Sequence, residues 1–347
     1  MQAVILREFG GPEMLRYEEV PTPLPGPGEV LVQVHAVSVN RTLDLKVRQD
    51  GGGYGVGLPL VLGVDPSGVV VAGGEGVTQP QRGARVAIIP MVGCGTCQHC
   101  QAGNETACSR LRIIGLHRWG GYAEYVAVPA ANTFAIPENL SFAEATVITR
   151  HFPMAFGEAR KAQLQAGEWV LVMGAAGALG SCLVQVAKMT GARVIAGAGS
   201  DERVEVARSL GADCGVNYRR EDLATEVVRL TEGHGVDVVF ENIGDATLWP
   251  GAFNSLAAGG RLVTVGAHGG GMVTLDVKRL YGRRLQILSG IGAERRADVE
   301  RSLQLGAAGQ LRLLINQTMP LREAMAAHRL VEESQTWGKI ILDPTRQ

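Results

Sequence analysis

Four of the six cysteines, Cys94, Cys97, Cys100 and Cys108, fall within fifteen positions of one another in a glycine-containing stretch. Thiolates bind zinc well, and spacings this short let one loop wrap the ion in a closed tetrahedral set. A four-thiolate shell leaves no position for water or substrate, so the zinc expected here is structural rather than catalytic. Four unrelated thiols or disulfides are the alternative, which the tight spacing disfavours. His99 lies inside the lobe with no role that a complete thiolate set requires.

A second constellation is Gly174-Ala175-Ala176-Gly177-Ala178-Leu179-Gly180. It follows the apolar run Val170–Met173 and precedes a helical stretch reaching Lys188. Glycines at such a turn let backbone approach a pyrophosphate, and the helix N-terminus offers N–H groups and partial positive charge. Ala175 replaces the first glycine of G-x-G-x-x-G, while Gly177 and Gly180 keep the other two. Strand before and helix after turn a weak motif into an expected dinucleotide site. The next strand would end on Asp or Glu if it bound the ribose 2′-hydroxyl of NAD. Here it ends Ala198-Gly199-Ser200, with Arg203 in the following helix. Without a carboxylate to repel a 2′-phosphate, and with Ser200 and Arg203 as donors, NADPH is favoured over NADH. A solvated helix arginine is the plainer reading of Arg203.

These residues need two kinds of scaffold. The 347-residue length fits two domains. Up to about residue 150 the pattern is mostly β: Val30, Val32, Val34 and Ala36 alternate with Leu31, Gln33 and His35, the period of a half-buried strand. Val69–Ala72 and Arg85–Ile89 are further short strands. From about residue 152 apolar strands (Val170–Met173, Arg193–Ala196, Val236–Phe240, Arg261–Val265) alternate with helices, among them Asp201–Leu210 capped by Ser200. That alternation implies βαβ units and a parallel sheet. The tail from about residue 293 carries one or two helices and a strand near Lys339–Leu342.

Composition narrows the function. With 46% hydrophobic and 19% charged residues, the chain has ample core and is not disordered. Glycine is abundant, 47 residues, without a Gly-X-Y period. A net charge of -1 with no basic block argues against nucleic acid. Arg7 and Glu8 interrupt the apolar start before a signal-peptide core forms. The uncharged stretch between Glu168 and Lys188 is broken by glycines into strand, turn and helix. The expectation is a soluble, cytoplasmic protein without a membrane partner.

The segment Gly93-Cys94-Gly95-Thr96-Cys97-Gln98-His99-Cys100, with Cys108, resembles the structural-zinc lobe of medium-chain dehydrogenase/reductases. Gly120-Gly121-Tyr122-Ala123-Glu124-Tyr125-Val126 matches the segment that follows that lobe, and the 174–180 loop is similar to that of the quinone-oxidoreductase-like and related zinc-binding alcohol-dehydrogenase-like branch. The resemblance runs essentially along the whole chain. It implies an α/β protein in which a GroES-like β-rich catalytic domain (1–151 and 293–347, zinc lobe 93–109) accepts an inserted Rossmann doubly wound parallel-sheet domain (152–292). It further implies an active site in the cleft between the two, and a homodimer. Arg203 falls where NADPH-using relatives carry a Lys or Arg for the 2′-phosphate; Tyr218 matches a tyrosine that joins it in some members. Asn242 lies near the expected nicotinamide path.

The departures matter as much. Alcohol dehydrogenases of this superfamily hold a catalytic zinc with a Cys, a Gly-His-Glu motif and a later Cys. Here the corresponding positions read Asn40, Gly63-Val64-Asp65 and the vicinity of Thr149, and Cys182 and Cys214 belong to the Rossmann part. One carboxylate and one amide make a poor zinc site, so one structural zinc and no catalytic zinc are expected. Ketone/alcohol interconversion then loses its Lewis acid. Hydride addition to a quinone or an α,β-unsaturated carbonyl compound remains feasible if hydrogen-bond donors hold the developing oxyanion.

Candidate donors and acids are Asn40, Arg41, Tyr54, Arg150 and His151. Asn40 matches zinc-free members of the family and is expected to line the pocket. Arg41 contacts substrate or cofactor, or else pairs with Asp44 or Asp65. Tyr54 sits in the glycine-rich loop 50–55 as a possible acid or an ordinary surface tyrosine. Arg150 and His151 replace an apolar, Thr-containing stretch of relatives and suit a polar or anionic substrate; a pinned helix turn is the alternative. The resulting expectation is an NADPH-dependent quinone or enone reductase acting on a small molecule. Its alternatives are an NAD(P)-dependent alcohol or aldehyde dehydrogenase and a non-catalytic nucleotide-binding protein.

Overall fold

A computed structural model describes residues 1–103, 105–292, 294–334 and 337–346. The chain forms two compact units, Met1–Arg150 with Val299–Gln347, and His151–Asp298. The first division falls inside a long helix, and the second lies six residues beyond the expected 292/293 boundary. An ion pair accompanies the latter: the Arg160 guanidinium donates to both carboxylate oxygens of Asp298, at 3.1 and 2.7 Å, and so ties Asp298 to the second unit.

The first unit is built on β1 (Glu29–Ser38), β2 (Ser67–Gly73), β3 (Arg85–Ile88), β4 (Tyr125–Pro129) and β5 (Thr133–Ala135). The expected alternation holds in the middle of β1, where Val32, Val34 and Ala36 are buried and Gln33 and His35 half-buried, but not at its start, where Leu31 is buried as well as Val30. Antiparallel pairing places β2 and β4 beside β1. The chain then runs through helix α1 (Phe142–Lys161) into the second unit.

There the order is β6 (Trp169–Met173), α2 (Gly180–Met189), β7 (Arg193–Ala198), α3 (Asp201–Ser209), β8 (Cys214–Asn217), β9 (Val236–Glu241), β10 (Leu256–Thr264) and β11 (Gln286–Ser289). All pair in parallel, ordered β8-β7-β6-β9-β10-β11. Val170, Leu171, Val172 and Met173 are buried, as expected of a central parallel strand covered on both faces. The strand order reverses between β6 and β9, the position at which doubly wound sheets bind ligands beyond the strand ends.

The chain returns to the first unit through α4 (Arg296–Ala307), β12 (Ile315–Pro320), α5 (Ala324–Glu332) and β13 (Lys339–Asp343). β13 pairs antiparallel with β1 and parallel with β12, completing the sheet β5-β3-β2-β1-β13-β12. No described helix is long and apolar enough to cross a membrane.

The core of this unit also encloses polar groups: Arg48, Tyr122 and His328 are fully buried. The Tyr122 hydroxyl and His328 Nε2 are 3.0 Å apart, and Arg48 pairs with Glu332 at 3.0 Å. Burial, reinforced by the Arg48 charge, pushes the His328 pKa down to about 3. The unfolded chain therefore takes up a proton near pH 6.5 that the folded chain refuses, so stability falls as the pH drops below that value. Unfolding free energies of wild type and His328→Gln, measured between pH 4 and 7, should diverge by about 1.4 kcal/mol per pH unit on the acid side. Parallel profiles would refute the assignment.

Candidate functional site

The four thiols converge as expected. The sulfur atoms of Cys94, Cys97, Cys100 and Cys108 all lie within 4.8 Å of one another. Cys97 and Cys100 sulfurs are 3.5 Å apart and those of Cys94 and Cys100 3.9 Å. Zinc–sulfur bonds of about 2.3 Å give tetrahedral edges near 3.8 Å, whereas a disulfide needs about 2.05 Å. Backbone N–H groups of Cys94 and Arg110 donate to the Cys108 sulfur at 3.4 and 3.3 Å, the kind of support that orients a thiolate. Hydrogen bonds from Thr96 draw the Cys94 pKa down to about 5, while burial pushes Cys100 up to about 12. Thiols this close do not all ionise unaided, and a divalent cation removes that conflict. The set fits zinc.

In the second unit β6 ends at Met173, and Gly174 takes φ +64°, a left-handed conformation that glycine adopts without strain. A Cβ at Gly180 would lie 2.2 Å from the Gly174 carbonyl oxygen, so only glycine lets α2 start this close to the turn. Gly177 N–H closes the turn onto Gly174 O at 2.8 Å, and Ala175 N–H bonds Gly197 O at 3.1 Å. Ala176, Ala178 and Leu179 thus complete the tight strand–turn–helix corner between β6 and α2. Asn242, just past β9, donates to Met173 O at 3.1 Å and ties the two strand ends together.

One strand over, Ser200 caps α3 by accepting from Arg203 N–H at 3.3 Å. The Tyr218 hydroxyl lies near Gly199 and is under the influence of the Arg203 and Arg219 guanidiniums, while burial raises its pKa. Ser200, Arg203 and Tyr218 therefore gather at the end of β7.

Asn40 follows β1 directly and is 5% exposed. Its amide nitrogen reaches Asp44 Oδ2 at 3.2 Å, Asp65 Oδ2 at 3.1 Å and the Ser38 carbonyl at 3.2 Å. Its amide oxygen accepts from Lys339 Nζ at 2.8 Å, and that ammonium also donates to Val39 O at 3.0 Å. Asp44 accepts backbone N–H bonds from Asn40 at 2.8 Å and Gly63 at 3.1 Å; Asp65 accepts from the Ser38 amide and hydroxyl. Burial first, and then the neighbouring Asp65 charge, raise the Asp44 pKa to about 7. The knot thus holds one ammonium and two carboxyls, one of which keeps a proton near neutrality. Both ends of the Asn40 amide are committed to protein atoms, so its place is inside this knot and not as a free donor on a pocket wall.

The other expected catalytic residues are dispersed. Arg41 pairs with neither Asp44 nor Asp65. Its guanidinium donates to the Val331 and Glu332 carbonyls and to Ser334 Oγ, capping the C-terminal end of α5. Tyr54 is 38% exposed, and its carbonyl lies 2.9 Å from His117 Nε2. Since His117 Nδ1 accepts from Ile113 N–H at 3.0 Å, Nε2 is the protonated nitrogen that holds the Tyr54 loop. Arg150 is half-buried and His151 buried on α1. Sequence reading missed Lys339 and Ser38, treated Asp44 only as a partner for Arg41, and treated Asp65 as that or as the carboxylate of an incomplete zinc site. Their signal is a charge set within an otherwise buried apolar strand or turn.

The positions expected to hold a catalytic metal do not fit one. Val64 has no donor atom, Asp65 is bound to Ser38 and Asn40, and Thr149 Oγ1 donates to Ala145 O at 2.8 Å. Among the described residues the cysteine lobe is the one cluster of three or more His, Cys, Asp or Glu side chains with metal-binding spacing.

Comparison with known proteins agrees with this architecture. Residues 26–138 match the alcohol dehydrogenase GroES-like domain and residues 178–308 the zinc-binding dehydrogenase family. The chain is 32% identical to an NAD-dependent alcohol dehydrogenase of Sulfolobus acidocaldarius, over 99% of this chain and 100% of that protein. A crystal structure of an NAD-dependent alcohol dehydrogenase is 39% identical, with a TM-score of 0.91 and 99% of both chains covered. A zinc-binding dehydrogenase from Sinorhizobium meliloti 1021, solved bound to NADP, is 29% identical with a TM-score of 0.87, again covering 99% of each chain. The chain belongs to the medium-chain dehydrogenase/reductase superfamily and is an NAD(P)-dependent oxidoreductase.

Two outcomes follow from the geometry. Elemental analysis of the purified protein should give one zinc per chain, falling to none in Cys97→Ser; two zincs per chain, the second lost together with activity, would contradict the donor sets. Lys339→Met removes the ammonium that Asn40 Oδ1 and Val39 O accept from and should lower the unfolding free energy by about 1–3 kcal/mol in chemical denaturation. Asn40→Ala should cost about 1–3 kcal/mol.

Proposed function

We propose that this protein is an NADPH-dependent reductase of quinones or α,β-unsaturated carbonyl compounds that works without a catalytic zinc, as a homodimer. The observation that carries this reading is that, at the positions the resemblance assigns to the catalytic metal, Asn40 and Asp65 are hydrogen-bonded to each other, Thr149 donates to Ala145 O, and Val64 offers no side-chain donor atom. The nicotinamide, when bound, supplies the hydride. The chain then has to stabilise negative charge on a carbonyl or quinone oxygen already conjugated to the reacting carbon, a task for hydrogen-bond donors. Arg150 and His151 are the donors we assign to it, and Asn40 acts as the residue that shapes the end of its own strand. Support for NADPH comes from Gly199 where an NAD-type carboxylate would stand, from Ser200, Arg203 and Tyr218 around it, and from the NADP-bound relative.

An alcohol dehydrogenase is the second reading, favoured by the names of the similar proteins. Steady-state NADPH oxidation against a panel of quinones and enals separates the two. We expect turnover with that panel, lowered about 100-fold in the double variant Arg150→Ala/His151→Ala. Oxidation of primary or secondary alcohols with NAD, and no turnover of enones or quinones, would reverse the assignment.

A further inference from the structure

We propose that Glu158 is the catch of a proton-operated latch: while its carboxyl is neutral the chain after β11 stays closed against it, and loss of the proton releases that chain. The inference concerns the second unit alone and does not depend on the substrate or nucleotide assigned above.

Glu158 lies on α1 and is fully buried. Neither of its carboxyl oxygens has a hydrogen-bond partner among the described residues. It sits where β10 and β11 end. A Cβ built on Gly290, the residue after β11, would lie 2.8 Å from Glu158 Cγ, 2.5 Å from Val265 Cγ1 and 3.1 Å from Val263 Cγ1. The missing side chain at Gly290 therefore lets the backbone close against the acid, and Gly290 N–H fastens it by donating to Thr264 O at 3.0 Å. Further along, Asp298 is held by the Arg160 guanidinium and by Arg295 N–H at 2.8 Å. Between these two ties Ile291, Arg295, Arg296 and Ala297 are exposed, and Gly292 takes φ +76°. This segment can lift from the Gly290 end, with Asp298 as its pivot, at the cost of one backbone hydrogen bond. Moving α1 or the strands would open the apolar core.

The charges around Glu158 offer it no cation. Glu294, in the same segment, is the charged group that acts on it, and Glu294 Oε2 is itself buried without a hydrogen-bond partner among the described residues. Arg160 is turned to Asp298, and Arg261 of β10 is paired with Glu168. Lys161, Arg295 and Arg296 are exposed, β11 has no titratable side chain, and His151 stands about two turns earlier on α1. Burial first, and then the Glu294 charge, hold the Glu158 pKa well above the usual carboxylate range. Burying an ionised carboxylate without partners costs far more than burying a neutral carboxyl. The closed form thus keeps a proton that the open, hydrated form gives up at an ordinary carboxylate pKa. Rising pH then favours the open form by about tenfold per pH unit until the closed form ionises as well.

Hydrogen–deuterium exchange of the full-length zinc-loaded protein, corrected for intrinsic exchange rates, tests this between pH 6 and 8. Protection of the Gly290 amide should fall by about tenfold per pH unit in wild type. In Glu158→Gln, whose side chain cannot ionise, it should not change with pH. In Glu294→Gln the fall should level off at lower pH, because the like charge is gone. Amides within β6 and β9 report whether each variant keeps its fold; should Glu158→Gln fail there, the Glu294→Gln profile decides. Wild-type protection that stays constant with pH would overturn the latch. So would the wild-type slope persisting in a folded Glu158→Gln, or a Glu294→Gln profile identical to wild type.

Discussion

One buried ammonium holds the first unit's candidate site together. Lys339 starts the last strand, and its Nζ reaches the Asn40 side chain across 299 residues of sequence. Taking a cation and two carboxyls out of water is expensive unless each finds partners. Here nearly every polar atom does, through Ser38, Val39, Gly63 and the Asn40 amide. Because the strand that carries Lys339 lies between the central strand and Ile315–Pro320, the discontinuous sheet and the polar knot depend on each other. The sheet delivers the ammonium; the ammonium fixes the Asn40 amide, whose nitrogen bonds both carboxyls.

That knot changes the kind of chemistry open to the site. Thiolate and imidazole ligands would hold a Lewis acid at these positions in a zinc-dependent dehydrogenase. Here those positions carry Asn40, Val64 and Thr149, with an Asp65 carboxylate already held by Ser38 and Asn40. Positive charge is still present, but as a fixed ammonium that serves Asn40 and a backbone carbonyl. The metal chemistry retained by the chain resides in the cysteine lobe, where four sulfurs close a shell and no position is left for a reactant.

The nucleotide half follows a different logic, since it depends on backbone more than on side chains. Gly174 turns the chain at the end of the central parallel strand, and Gly180 lets the helix start against that turn. The same economy recurs at Gly199, where the lack of a side chain leaves room beside Tyr218 and Arg219. Glycine does two separate jobs here: at Gly174 the backbone dihedral favours it, whereas at Gly180 the space demands it.

Local patterns were legible where the physics is local. The thiol spacing, the strand–loop–helix motif, the alternation of Val30 to Ala36 and the Ser200 cap need only neighbours within a few residues, and all are present in the structure. The absence of His and Cys at the expected zinc positions was equally plain from residue types alone. What sequence could not supply was the destination of long polar side chains. Arg41 caps a helix formed some 290 residues later, Asn40 faces inward because Lys339 arrives from the C-terminal strand, and Arg219 meets Gly199 because two parallel strands end side by side. Residue type and short spacing determine which chemistry the chain can carry. Strand pairing over hundreds of residues decides which charges meet, because electrostatic partners are chosen by distance in space and burial, neither of which a linear pattern contains.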